Sequence, residues 1–349
     1  MSSIRRASRT KLTAALGLTC AAALTLSACS STDSASTESA PATPVDGPIT
    51  IVASTNVWGS VAEAVAGNLA TVTSLISDPS ADPHSYEASP ADAAAVAEAS
   101  LVVYNGGGYD QFIEDILGSE GKDVPSVDAY TLLDESHDHE SEPTSGDATA
   151  EAEAEAEAEA EAEAADDHGH SHGEVNEHVW YNAEVVAHTA EEIADKLGQL
   201  DPDNAAQYTA NAETFHEQVH GITDVTAKIA ADHPGAPVAQ TEPIAHYLIE
   251  ESELDDRTPE DFKDSIEEGN DPSPASIAAT RDLFTSKSVR ALIYNIQTED
   301  AVTQDIRSTS EAAGIPVVEV TETLPAGMTY IEWQTKAATD LQAALATAP

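Results

Sequence analysis

Two histidines sit in settings suited to binding a metal. His84 lies in Asp82-Pro83-His84-Ser85-Tyr86-Glu87, and His178 in Asn176-Glu177-His178-Val179-Trp180. Each joins an imidazole to a nearby carboxylate and aromatic, within a segment punctuated by proline or asparagine. Imidazole nitrogen and carboxylate oxygen together suit a borderline or hard divalent ion. The neighbouring acids and aromatics can orient such ligands. His246 is a third loop histidine, four residues after Glu242; that spacing sets both on one helical face if the turn begins early, which makes His246 an alternative ligand, and a surface or supporting role is the better reading. His188, His216 and His220 fall within long helical patterns and read as ordinary residues of those helices. Five more histidines, His137, His139, His168, His170 and His172, crowd a segment with 17 acids over 134–177. Clustered imidazoles of that kind favour softer ions such as zinc.

These residues need a frame. Apolar runs over 49–54, 72–76, 101–104 and 124–127 read as buried strands, separated by helical periodicity after Asn56, after Pro90 and over 109–117. Asn56 is placed to cap the first helix, and Ser89-Pro90-Ala91-Asp92 opens the second with proline at its first position. Gly106-Gly107-Gly108 follows a strand as a dinucleotide loop would, but Gln111 stands where the next glycine is required, so the run reads as a tight turn. Helical spacing resumes over 183–200 and runs long over 204–231, with Gly221 as its weak point. A second series follows, with strands over 238–240, 289–294 and 316–320 and helices over 244–250, 276–285, 301–313 and 330–346. Alternation at this spacing predicts two α/β lobes with mainly parallel sheets, joined by a long backbone helix. No internal sequence repeat is visible. Trp58, Trp180 and Trp333 read as packing residues, with Trp180 near the site.

Charge narrows the function classes. The chain has 349 residues with 63 acids, 14 bases and a net charge of -49, which excludes nucleic acid as a partner. The first 28 residues hold no acid and four bases, Arg5, Arg6, Arg9 and Lys11. The apolar run 12–28 then meets Leu26-Ser27-Ala28-Cys29, resembling a bacterial lipobox. Residues 1–28 are therefore expected to be a lipoprotein signal peptide, and Cys29 the lipidated first residue of the mature chain. The only other cysteine, Cys20, lies in the signal, so no disulfide and no thiolate metal site are expected. Residues 29–47 read as a flexible tether. The expected organisation is then an N-terminal lobe over 48–200, a linking helix over 201–232 and a C-terminal lobe over 233–349. Within the first lobe, 134–177 is read as a His-rich acidic disordered loop, because its Glu-Ala pairs place like charges four apart.

From about Ile49 the chain resembles the substrate-binding lipoproteins of zinc and manganese ABC importers, the cluster A-I metal receptors that include adhesin-like lipoproteins. The resemblance is carried by Asp82-Pro83-His84-Ser85-Tyr86-Glu87, Glu177-His178-Val179-Trp180, Thr241-Glu242-Pro243, Tyr294-Asn295-Ile296-Gln297-Thr298, and Gly314-Ile315-Pro316-Val317-Val318 with Thr321-Glu322-Thr323-Leu324-Pro325. It implies one divalent ion between the lobes, held by His84, His178, Glu242 and Glu322. The fourth position is usually aspartate in such receptors, and Gln297 and Glu319 are rivals for it. Glu242 leans toward Mn2+ and the His-rich loop toward Zn2+, with zinc favoured. The resemblance further implies a monomeric receptor without catalytic activity. Its expected place is the outer face of the cell membrane, anchored through Cys29, delivering metal to an ABC permease. A surface adhesin with a structural metal is the alternative. A metal-dependent hydrolase would require an open coordination position.

Overall fold

The computed structural model describes residues 47–78, 83, 86–119, 124–133 and 176–348. The signal segment, the lipobox cysteine, most of the tether, His84 and nearly all of the acidic loop lie outside the described residues.

Among the described residues the strands form two four-stranded parallel sheets. In the first, β1 (Ile49–Thr55) is flanked by β2 (Ala70–Ile76) and β3 (Leu101–Tyr104), and β4 (Ser126–Asp128) closes the edge beyond β3. In the second, β5 (Pro237–Gln240) is flanked by β6 (Asp255–Asp256) and β7 (Leu292–Asn295), with β8 (Val317–Val320) outside β7. The two sheets share one strand order, so the repeat absent from the sequence is present in the topology. In each, the chain leaves the first strand toward one side and later returns to the other, which opens a crevice at the carboxyl ends.

The first sheet is crossed by α1 (Asn56–Ala66), α2 (Pro90–Glu98) and α3 (Gln111–Ser119). Helix α2 begins with a reciprocal capping box between Ser89 and Asp92, as its sequence implies. Two long helices follow, α4 (Ala183–Leu200) and α5 (Ala205–Asp232). The buried residues of α5 are Tyr208, Ala212, Phe215, Val219, Ile222, Thr226 and Ile229, a stripe of 3.6-residue period. Gly221 lies off that stripe in open space, so the helix continues through it. The second sheet carries α6 (His246–Glu251), α7 (Glu260–Glu267), α8 (Pro274–Thr285) and α9 (Ala301–Ala313), and α10 (Tyr330–Thr347) ends the fold.

The largest buried core runs through both lobes. It unites Ile51 and Val103 of the first sheet, Val238 and Val320 of the second, and the aromatics Trp58, Trp180, Tyr208, Phe215, Tyr330 and Trp333. Smaller clusters cover the far faces, around Val52, Val102 and Ile113, and around Phe262, Phe284 and Tyr294. Helix α10, expected with the second lobe, also packs on α1 and α5. The Tyr330 hydroxyl donates to the Trp180 carbonyl at 2.8 Å, and the Tyr330 N–H donates to Ser60 Oγ at 3.0 Å.

Asn56 corrects its expected role. It is the first residue of α1, whose preceding Thr55 makes no side-chain cap. The Asn56 amide instead donates to the Leu324 carbonyl and accepts the Leu324 N–H, each at 2.9 Å. This two-bond clamp joins residues 268 apart in the chain. Asn56→Ala leaves both Leu324 groups without this partner, so a loss of about 2 kcal/mol is expected, read as a lower denaturant midpoint at unchanged slope.

The glycine turn is confirmed as a turn. Gly106, Gly107 and Gly108 all have positive φ, of 76°, 64° and 91°. A Cβ on Gly107 would stand 2.5 Å from the Tyr130 ring.

Candidate metal centre

The site is built from the carboxyl ends of β5, β7 and β8, with one loop of the first lobe laid against them. His178 enters on that loop, just before a 3-10 turn over Val179–Tyr181. Its side chain is 1% exposed. Asn176 positions it. The Asn176 amide nitrogen donates to the Pro243 carbonyl at 3.0 Å, which turns its oxygen toward the histidine. That oxygen accepts the His178 backbone N–H at 2.9 Å and lies 3.0 Å from Nδ1. Nδ1 therefore carries the hydrogen, and Nε2 is left facing the site, the tautomer a metal-ligating histidine needs. The Tyr247 hydroxyl anchors the same loop by donating to the Asn176 carbonyl at 2.6 Å. The Trp180 ring packs edge-on against the imidazole at 5.0 Å.

Glu242 follows β5 by two residues and is 1% exposed. Thr298 Oγ1 lies 3.0 and 2.9 Å from its two oxygens. Glu322 follows β8 by two residues and is 5% exposed. Asn295, the last residue of β7, binds both acids: its amide nitrogen donates to Glu242 Oε1 and, at 2.9 Å, to Glu322 Oε1. Tyr109, from the first lobe, reaches Glu322 Oε2 at 3.5 Å.

Of the rivals to Glu322, Gln297 is engaged in supporting it. Its Oε1 accepts the Glu322 N–H at 2.5 Å and the Thr323 N–H at 3.2 Å, and its amide donates to Thr323 Oγ1 at 2.7 Å. Glu319 points outward, 52% exposed, and pairs with Arg307 at 2.6 Å. His246 is 47% exposed and lies 3.7 Å from Glu250. On α5, His216 is likewise peripheral, at 2.7 Å from Glu191.

One acid escapes the sequence reading. Glu267, the last residue of α7, brings Oε1 to 3.2 Å from His178 Nε2, with its side chain 11% exposed. Sequence offers little to find it: α7 has only Phe262 and Ile266 buried and carries acid on most of its surface. Asn295 and Thr298 lie inside a motif quoted above, yet nothing in their spacing announces that both would grip Glu242.

The site crowds buried negative charge. Burial, then Glu267 and Glu322, push the Glu242 carboxyl well above the usual carboxylate range, against the Asn295 and Thr298 hydrogen bonds. Burial opposes charge on His178, and Glu267, Glu177 and Glu322 outweigh it and raise its pKa. Among the described residues, no three or more His, Cys, Asp or Glu side chains are grouped to hold an ion as they stand. The donors form two pairs instead, His178 with Glu267, and Glu242 with Glu322 through Asn295. Imidazole and carboxylate are donors that a divalent transition metal accepts.

The sequence matches the family described as zinc-uptake complex component A, periplasmic, over residues 51–344. The chain belongs to this family. It is a family of transport components rather than enzymes. A high-affinity zinc uptake system protein of Brucella abortus is 38% identical over 160 residues, 42% of this chain and 48% of that protein. A manganese-binding lipoprotein of Halalkalibacterium halodurans is 25% identical over 174 residues, 50% of this chain and 47% of that one. The chain thus spans about half the length of the curated relatives it matches. The periplasmic zinc-binding protein of Treponema pallidum shares the fold, with a TM-score of 0.65 at 14% identity, covering 86% of this chain and 99% of its own. Among the described residues no helix is long and apolar enough to cross a membrane.

Proposed function

We propose that this family member is the extracytoplasmic receptor of an ABC importer and binds one divalent ion between its lobes. The ligands in this reading are His84, His178, Glu242 and Glu322, with zinc favoured over manganese. The observation that carries it is two largely buried donor pairs beside the ends of β5, β7 and β8: His178, on a loop of the first lobe, with Nε2 against Glu267, and Glu242 with Glu322, tied by one asparagine. Two neutral imidazoles and two carboxylates neutralise a dication. Glu322 is chosen over its rivals because it is buried toward Glu242, whereas Gln297 supports it and Glu319 faces solvent. Lipid on Cys29 would hold the receptor at the outer face of the membrane, beside its permease. The acidic His-rich loop would gather zinc weakly near the cleft, aided by the strong negative charge at low salt.

The test is a calorimetric titration of residues 30–349, stripped of metal, with zinc and manganese against a competing chelator. A second chain lacks residues 134–177. One tight zinc site in both chains, with weaker extra sites only where the loop is present, is the expected outcome. Tight manganese with weak zinc would move the cargo to manganese. An ion that cannot be exchanged would favour the adhesin, and no saturable site would end the receptor reading.

A further inference from the structure

We propose that Glu267 is itself a ligand to the ion, a third carboxylate beside Glu242 and Glu322. The inference rests on the receptor reading above and deepens it. Its basis is geometric. Metal–nitrogen bonds of about 2.1 Å and metal–oxygen bonds of about 2.1 Å span 3.2 Å when the angle at the ion is about 100°. That is the separation between His178 Nε2 and Glu267 Oε1. The angle falls between the tetrahedral and octahedral values, so one ion can take both atoms without either moving apart.

Glu267 adds negative charge to a site that already holds two buried glutamates. Its carboxylate stands at the carboxyl end of a helix, where the helix dipole opposes negative charge. It is largely withdrawn from water, and Glu242, already burdened by burial, is further destabilised as an anion by it. The helix also holds it firmly: Phe262 and Ile266 are buried in the second-sheet cluster, and Lys263 pairs with Asp256 at 3.2 Å.

With Glu267 the donor set becomes two nitrogens and three carboxylates. Such a shell exceeds the four ligands of a closed tetrahedral site and is rich in oxygen, the donor that manganese prefers. Glu267 is then the residue that lets this site hold a harder ion of higher coordination number, narrowing the margin by which zinc leads.

The full chain and its Glu267→Gln and Glu267→Ala variants would be titrated with Zn2+ and Mn2+ against a chelator, and loaded with Co2+ for visible absorption. Manganese affinity is expected to fall by more than the roughly 10–100-fold that loss of a supporting residue costs, and zinc affinity by less than about threefold, since manganese gains more than zinc from an added oxygen ligand. The cobalt bands should intensify in both variants as the ion drops from five ligands to four. Equal losses for both metals with an unchanged cobalt spectrum would assign Glu267 a structural role and overturn the proposal. Unchanged affinity, or tighter binding in the variants, would overturn it too, the latter showing that Glu267 competes with the ion for His178. Failure of the unmodified chain to bind any of the three ions would instead overturn the receptor reading.

Discussion

His178→Ala is expected to abolish tight binding of both zinc and manganese, by more than the roughly 10–100-fold that loss of a supporting residue costs. The imidazole is buried and its tautomer is set by Asn176. The measurement is chelator competition, paired with thermal melts. A ligand at about 1,000 times its dissociation constant stabilises the folded state by about 4 kcal/mol. The unmodified chain should therefore melt several degrees higher with metal, and the variant should melt at one temperature with or without it. Binding within about threefold of the unmodified chain would remove His178 from the ligand set and leave the N-terminal lobe without a described ligand.

A second large effect concerns pH in the metal-free protein. Burial pushes the Asp110 carboxyl up to about 6, against hydrogen bonds from Asn105 and Gly106. Burial, with Glu184 and Glu250 nearby, pushes Glu251 up to about 7, although it accepts the Ala183 N–H at 2.8 Å. Both groups hold their protons more tightly folded than unfolded. Their contribution is fully present below about pH 4, where an unfolded carboxyl is protonated, and is lost as pH rises through 6 and 7. Stability should thus decline from about pH 4 to about pH 7 and level off above that, on the order of 2 kcal/mol for each group once partial solvation of Glu251 is allowed for. Glu251→Gln keeps the acceptor for Ala183 and removes the charge. It should raise the melting temperature at pH 8, leave it nearly unchanged at pH 4.5, and flatten the profile between. A variant with the same slope as the unmodified chain would show that Glu251 is not the group responsible.

The parallel lobes were legible because their central strands carry short, buried, mainly apolar runs, such as Ile49–Thr55, Leu101–Tyr104 and Leu292–Asn295, divided by helical stripes. The stripe from Tyr208 to Ile229 identifies α5 in spite of Gly221, since burial on one face outweighs one unfavourable backbone position. What escaped lacks such a signal. Strand β6 is two aspartates paired to Pro237 and Val238, and α7 is acidic with two buried residues. Asn56 misleads because its position suits a local cap, and its actual partner is decided only when distant elements meet. Glu242 and Glu322 could be picked out through a resemblance in their motifs. Their shared grip on Asn295 could not, because that contact exists only once three strand ends lie side by side.

The return of α10 onto α1 has a consequence for how the molecule is made. A ribosome delivers the first lobe early, with its sheet complete once residue 128 has emerged. Yet Ser60 and Trp180 wait for Tyr330, and Asn56 waits for Leu324. The lobe that appears first is finished last, so a nascent chain must remain incompletely packed until its last helix begins to emerge. Products that end before residue 324 lack both the clamp and the aromatic seal, and quality-control proteases would meet them as open chains rather than as small stable domains.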